Sequence, residues 1–157
     1  MRHVFTTSRE IASEFICGTF DSQEKRNKSN NASTNGESFW SYCTTIAKKY
    51  GEFVAMDSYF YSKTTDKQKR EIRAAANDRF IIVELPQIFH LAAAENVEYL
   101  TKQIQRTTAK MRRARSDFGR LRWSAERNKF ISFWGYMPAL LRAAGYPETA
   151  AAAYRDR

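Results

Sequence analysis

Ten basic side chains crowd residues 101–130: Lys102, Arg106, Lys110, Arg112, Arg113, Arg115, Arg120, Arg122, Arg127 and Lys129. Only Asp117 and Glu126 oppose them, a net of +8 in a 157-residue chain whose total is +9. Arginines outnumber lysines here, and a planar guanidinium can grip a phosphate or carboxylate through two parallel hydrogen bonds. The chemistry within reach is recognition of a polyanion, and these ten are the candidate partner- or nucleic-acid-binding residues. A solvated basic face that merely keeps the protein soluble is the competing reading. Ordinary charged faces mix signs far more than this one does.

The remaining reactive side chains point away from catalysis. His3 and His90 are the only histidines, and neither lies near a serine or cysteine in a nucleophile turn. His90, between Phe89 and Leu91, reads as a packed or capping residue. Cys17 and Cys43 form no zinc-ligand spacing and read as reduced, buried small hydrophobes. Glu95 and Glu98 are the acidic start of a helix. The six glycines form no phosphate-binding loop. A nonenzymatic protein with no metal and no cofactor is therefore expected. A carboxylate site assembled from distant residues is the one enzymatic form left open.

The element that must carry the basic residues is a helix. Val97, Leu100, Ile104, Thr107, Met111, Ala114, Phe118, Leu121 and Ala125 recur at alternating spacings of three and four, a heptad seam. The pattern predicts a long basic amphipathic helix over 95–129, with Gly119 kinking it or dividing it in two. Arg106, Arg113, Arg120 and Arg127 then share one exposed stripe, and Arg115, Arg122 and Lys129 border the seam, if the helix is continuous. Met111 and Phe118 are expected to be buried, either against the aromatic cluster of Phe130, Ile131, Phe133, Trp134, Tyr136 and Met137 or in a homodimer through the 97–125 seam. Phe118 and Trp123 could stack on bases, but packing is the stronger expectation for both. Pro138 is placed in the first turn of a short helix over 139–144, and Pro147 starts a last one.

The first half alternates differently. A strand is expected at His3 to Phe5. Thr7 and Glu10 form a capping box before Ile11, Ala12, Phe15 and Ile16, and Gly18 ends that helix. Residues 21–36, rich in Asn and Ser, read as a mobile loop tolerant of deletion. Strands follow over 38–43, 45–47 and 52–56, with another suggested at 58–62. Thr64 or Thr65 caps a helix over 66–76, and 79–85 is the most strand-like run. Phe39, Ile46, Val54, Ile81 and Val83 are the expected core. The fold class is α+β: a small antiparallel sheet with one or two helices over 1–86, then a helical region over 87–157. The hydrophobic fraction of 43% suits a globular chain. No run is long enough to span a membrane, and the N-terminus lacks the pattern of a secretory signal.

Several short motifs carry a resemblance over roughly residues 4–85. They are Phe5-Thr6-Thr7-Ser8 with Ile11-Ala12, then Ser41-Tyr42 with Ile46-Ala47, then Tyr61-Ser62 with Thr64-Thr65. In these the chain resembles small hypothetical proteins of tailed bacteriophages that share a domain of unknown function. The resemblance implies a phage accessory protein acting in the cytoplasm of a bacterial host cell, and such proteins often block host defences, CRISPR systems included. With the basic helix, the expectation is an anti-CRISPR-like inhibitor that binds nucleic acid or a nucleic-acid-binding host protein complex. The alternatives are a general DNA- or RNA-binding or regulatory protein, and an oligomerisation module that uses the apolar seam.

Overall fold

The computed structural model describes residues 5–155, and the chain divides into two compact units, Met1–Glu84 and Leu85–Arg157. The class is α+β, with the sheet in the first half and helices in the second.

The first unit opens with α1, Ser8–Cys17, and its start is fixed locally. Thr7 Oγ1 accepts from the Glu10 amide at 3.2 Å, and the Glu10 carboxylate accepts from the Thr7 amide at 3.1 Å. The reciprocal pair satisfies two amides that a helix otherwise leaves without partners. Gly18 closes the other end: its amide donates to Glu14 O at 2.7 Å, and a Cβ there would sit 2.4 Å from that oxygen. Ile11, Ala12, Phe15 and Ile16 form the buried face. Thr7→Ala is expected to cost about 0.5–2 kcal/mol in denaturant unfolding, the usual loss for an N-cap.

Six strands follow: β1 Lys25–Arg26, β2 Ala32–Thr34, β3 Ser38–Ser41, β4 Thr44–Tyr50, β5 Phe53–Asp57 and, after helix α2 (Lys63–Ala76), β6 Ile81–Leu85. They lie in the order of the chain, and the first four pairings are antiparallel. The last differs from the all-antiparallel expectation. The amide of Ile81 donates to Glu52 O just ahead of β5, so the two strands start side by side and run parallel. A parallel neighbour needs a crossover, and α2 supplies it. Between β3 and β4 the register slips: Phe39 pairs with Ala47 and Trp40 with Thr45. Ile46 is the extra residue of a bulge, which lets Ile46 and Ala47 both enter the core. That core joins α1 and α2 to one sheet face through Phe15, Phe39, Val54, Met56 and Ile72, with the Phe15 and Phe39 rings edge to face at 5.9 Å. Phe39, Ile46, Val54 and Val83 are buried as expected, whereas Ile81 is only half-buried.

Residues 21–36 are not a mobile loop, because they contain β1 and β2. Their polar side chains do the work of apolar contacts by saturating backbone. Asn27 Oδ1 accepts from the amides of Asn31 and Ala32 at 3.1 and 3.2 Å. Gln68 Nε2, on α2, donates to Asn31 O at 2.8 Å. Thr34 Oγ1 donates to Ser38 O at 2.7 Å and accepts from the Gly36 amide at 2.9 Å. An Asn- and Ser-rich composition is thus compatible with order when each group finds a partner.

Three smaller expectations also change. Residues 58–62 form no strand, and Ser62, not Thr64 or Thr65, caps α2 by accepting from the Thr65 amide at 3.2 Å. Cys17 and Cys43 are exposed free thiols, one at the last turn of α1 and one in the turn after β3. Of the strand expected at the N-terminus, only Phe5 lies within the described residues, and it makes one parallel bridge to Asn27.

The second unit consists of α3, Ala94–Arg113, then α4, Asp117–Ala143, then a 3-10 segment, Glu148–Tyr154. Buried Asn96 pins the chain ahead of α3: its Oδ1 accepts from the Gln87 amide at 3.0 Å, and its Nδ2 donates to Gln87 O and Leu91 O. Leu100, Phe130, Phe133, Trp134, Met137, Leu140 and Leu141 are buried. Pro138 lies inside α4, where it starts no separate helix. Trp134 Nε1 donates to Tyr154 O at 3.1 Å, and the two rings meet at 4.9 Å.

The Tyr154 hydroxyl is buried and meets no hydrogen-bond partner among the described residues. Burial pushes its phenol up to about 12, against about 10 in an unfolded chain. The neutral form is the one the fold favours. That contribution is fully present below pH 10 and is lost as pH rises from 10 through 12. Tyr154→Phe is expected to raise stability at neutral pH by about 1 kcal/mol, by removing a buried unsatisfied group, and to flatten the alkaline loss in melting experiments.

Candidate nucleic-acid interface

The long helix does not exist as one rod. It breaks at residues 114–116, ahead of Gly119, and Ser116 starts a new helix by accepting from the Gly119 amide at 3.1 Å. Gly119 is the third residue of α4 and breaks nothing. α3 and α4 then lie antiparallel: Tyr99 meets Phe130, Thr108 meets Arg127, and Lys110 meets Trp123. A continuous helix over 95–129 would be about 50 Å long. The hairpin folds that charge back on itself and roughly halves its length.

The stripes expected from heptad spacing are therefore cut. Arg106 and Arg113 stand on α3, Arg120 and Arg127 on α4, Arg115 in the turn, and Arg122 and Lys129 on α4. Two of the ten basic residues, Lys110 and Arg127, hold the hairpin together, and Lys129 lies against rings of its own helix. Lys110 Nζ lies 4.1 Å from the centre of the Trp123 ring, a cation–π contact. Arg127 Nε donates to Thr108 Oγ1 at 3.0 Å. Lys129 Nζ lies 5.6 and 5.4 Å from the Phe130 and Phe133 rings. Lys102 pairs with Glu98 at 3.5 Å and Arg120 with Asp117 at 2.5 Å, both on the surface. Arg106, Arg112, Arg113, Arg115 and Arg122 are exposed and have no carboxylate partner among the described residues. Arg112 and Arg113 also sit in the last turn of α3, where a cation is favoured by the helix dipole.

The seam divides in the same way. Leu100 and Thr107 are buried and Met111 is half-buried. Phe118, expected inside, is 79% exposed, and Leu121 is 70% exposed. After the break the chain has turned, so a spacing that continues in sequence no longer points at the same neighbours. Ile131 and Tyr136 likewise leave the buried cluster.

Lys110→Met keeps the aliphatic stem and removes the charge over Trp123. It is expected to cost about 0.5–2 kcal/mol in thermal or denaturant unfolding, the range of a cation–π contact.

The first unit holds one polar cluster that the residue patterns did not flag. Lys69 Nζ, on α2, donates to Asp57 O at 2.6 Å and Tyr59 O at 2.5 Å. Burial pulls its ammonium below the ordinary value, although Asp57 opposes the shift. The Tyr61 hydroxyl donates to Asp57 Oδ2 at 2.6 Å, and this bond pushes the phenol up to about 12. These residues line a cleft of about 180 Å³ with Arg73, whose guanidinium is paired to Glu84 at 2.7 Å. Each charge already has a partner, so the cluster acts as a brace that holds the exposed loop of Tyr59, Phe60 and Tyr61. Its only sequence signal is three adjacent aromatics between serines, a pattern that also fits a strand.

His90 is exposed and contributes its backbone oxygen to the Ala93 amide; His3 lies outside the described residues. Among the described residues no group of three or more His, Cys, Asp or Glu is placed to hold a metal ion, and no helix is long and apolar enough to cross a membrane. Comparison with family models, with curated proteins and with solved structures yields no match.

Proposed function

We propose that this protein is a nonenzymatic binder of nucleic acid and that the α3–α4 hairpin is its contact surface. The observation that carries the reading is the set of five exposed arginines, Arg106, Arg112, Arg113, Arg115 and Arg122, gathered on one helical hairpin without carboxylate partners among the described residues. Charge of one sign at this density raises the local concentration of a polyanion and its association rate. Its use as an inhibitor of host nucleic-acid-directed defence, in a bacterial cytoplasm, follows from the bacteriophage resemblance of the first half.

Titration of oligonucleotide binding against salt tests the reading. Five engaged phosphates give a slope of log K against log salt of about −4.5 on duplex DNA and about −3.5 on a single strand. A slope near zero, or no binding at low salt, counts against it. Pull-down from host lysate with and without nuclease then separates direct nucleic-acid binding from capture of a nucleic-acid-binding complex. The homodimer through the 97–125 seam is a second reading, supported by exposed Phe118 and Leu121. Sedimentation at increasing protein concentration decides it.

A further inference from the structure

We propose that Phe118, with Leu121 beside it, is a base-stacking wedge at the end of the hairpin, and that the preferred ligand is nucleic acid with exposed or easily unstacked bases. The inference rests on the nucleic-acid reading above and names the ligand class of that same surface.

Phe118 lies in the first turn of α4 and Leu121 three residues on, so both project from one helix face. At 79% and 70% exposure they leave a large apolar pair in water. Arg122, four residues after Phe118, shares that face, and Arg115 precedes the helix cap in the turn. Arg112 and Arg113 end the facing helix. Arginines thus stand on both sides of the turn that carries the apolar pair, with the Arg122 guanidinium 5.3 Å from the centre of the Trp123 ring. A surface that works by charge alone has no use for an exposed phenyl ring among its arginines. One that grips phosphates while a ring enters between bases does. The charge around the pair selects a polyanion over an apolar protein groove. Two side chains also offer little area for insertion into a lipid surface.

The wedge stands on a stiff base. Trp123, five residues after Phe118, is clamped by the Lys110 ammonium, and Arg127 is tied to Thr108 one turn further back. The turn itself is tight, since a Cβ on Gly119 would meet Ser116 Oγ at 3.1 Å and Ala114 Cβ at 3.3 Å. The backbone that carries the ring is thus fixed, so stacking need order only the side chain, and such preorganisation contributes to affinity.

The experiment uses the full chain with three probes containing 2-aminopurine: a single strand, a matched duplex and a duplex with one mismatch. The wild-type protein is expected to favour the single strand and the mismatch and to change the probe's fluorescence. Phe118→Ala is expected to weaken single-strand binding roughly tenfold or more, the worth of one stacked base. It removes the fluorescence change and leaves the salt slope and melting temperature unaltered. Phe118→Trp restores both affinity and fluorescence. Three results overturn the wedge: Phe118→Ala binding like wild type, a wild-type preference for matched duplex, or loss of self-association as the main effect of Phe118→Ala. If arginine variants lose binding while Phe118→Ala does not, the wedge fails and the nucleic-acid reading stands. If the wild-type protein binds none of the probes at low salt, both fail.

Discussion

Excision of residues 24–34, closed by a short Gly-Ser link, is expected to abolish cooperative folding of the first unit. The segment includes β1 and β2 and the buried side chains of Ala32, Ser33 and Thr34. Its removal uncovers β3, whose Phe39 is fully buried against α1. It also takes away Asn31 O, the acceptor for the Gln68 amide at the centre of the unit. Gln68 is itself fully buried, with its Oε1 already unpartnered among the described residues, so its remaining polar group would be orphaned as well. The loss is comparable to the whole stability of a domain this size, about 5 kcal/mol or more. Circular dichroism on heating, with amide chemical-shift dispersion, reads the result. A deletion variant that melts cooperatively near the wild-type temperature would show that 21–36 is the dispensable loop its composition suggests.

Replacing Arg106, Arg113 and Arg115 together is expected to have the largest effect on binding. All three are exposed and lack carboxylate partners among the described residues, whereas Arg120 is already engaged by Asp117. The neutral variant, each changed to Gln, is expected to flatten the salt slope on duplex by about 2.7, near 0.9 per lost phosphate contact. The reversed variant, each changed to Glu, is expected to abolish binding, because repulsion then replaces attraction. Arg113→Glu opposes the dipole at the end of α3 and costs about 0.3–1 kcal/mol of stability, so the Gln variant serves as the control for folding. Full binding by a folded Glu variant would reduce the basic hairpin to a solubilising surface and shift attention to the braced loop of Tyr59, Phe60 and Tyr61.

These two experiments address the places where local pattern and folded structure part. Part of the fold follows from groups that lie close together in the chain. Thr7 and Glu10 start α1 and Gly18 ends it, because caps are satisfied within a few residues. Phe39, Ile46 and Val54 were legible as core because large apolar residues in strand-like runs seek burial, whereas the alternation that groups Ile81 with Val83 leaves Ile81 half-buried. The charge of residues 101–130 is composition, and no fold alters it.

Which distant groups meet is a matter of packing. Ser116 and Asp117 carry a helix-start signal, yet they also fit inside a heptad repeat, and either residue costs little in a helix interior. Packing of α3 against α4, with Tyr99 on Phe130 and Lys110 on Trp123, selects the break. That one turn puts Phe118 into solvent, splits the arginine stripes and commits Lys110 and Arg127 to the hairpin itself. Residues 21–36 followed the same rule from the other side. Their hydrogen-bonding capacity was visible in the sequence, but the structure adds β3 paired beside β2 and Gln68, far along the chain, donating to Asn31 O. Long-range partners fix such choices, because a local pattern offers several nearly equal conformations and the side chains brought in from elsewhere supply the difference in free energy.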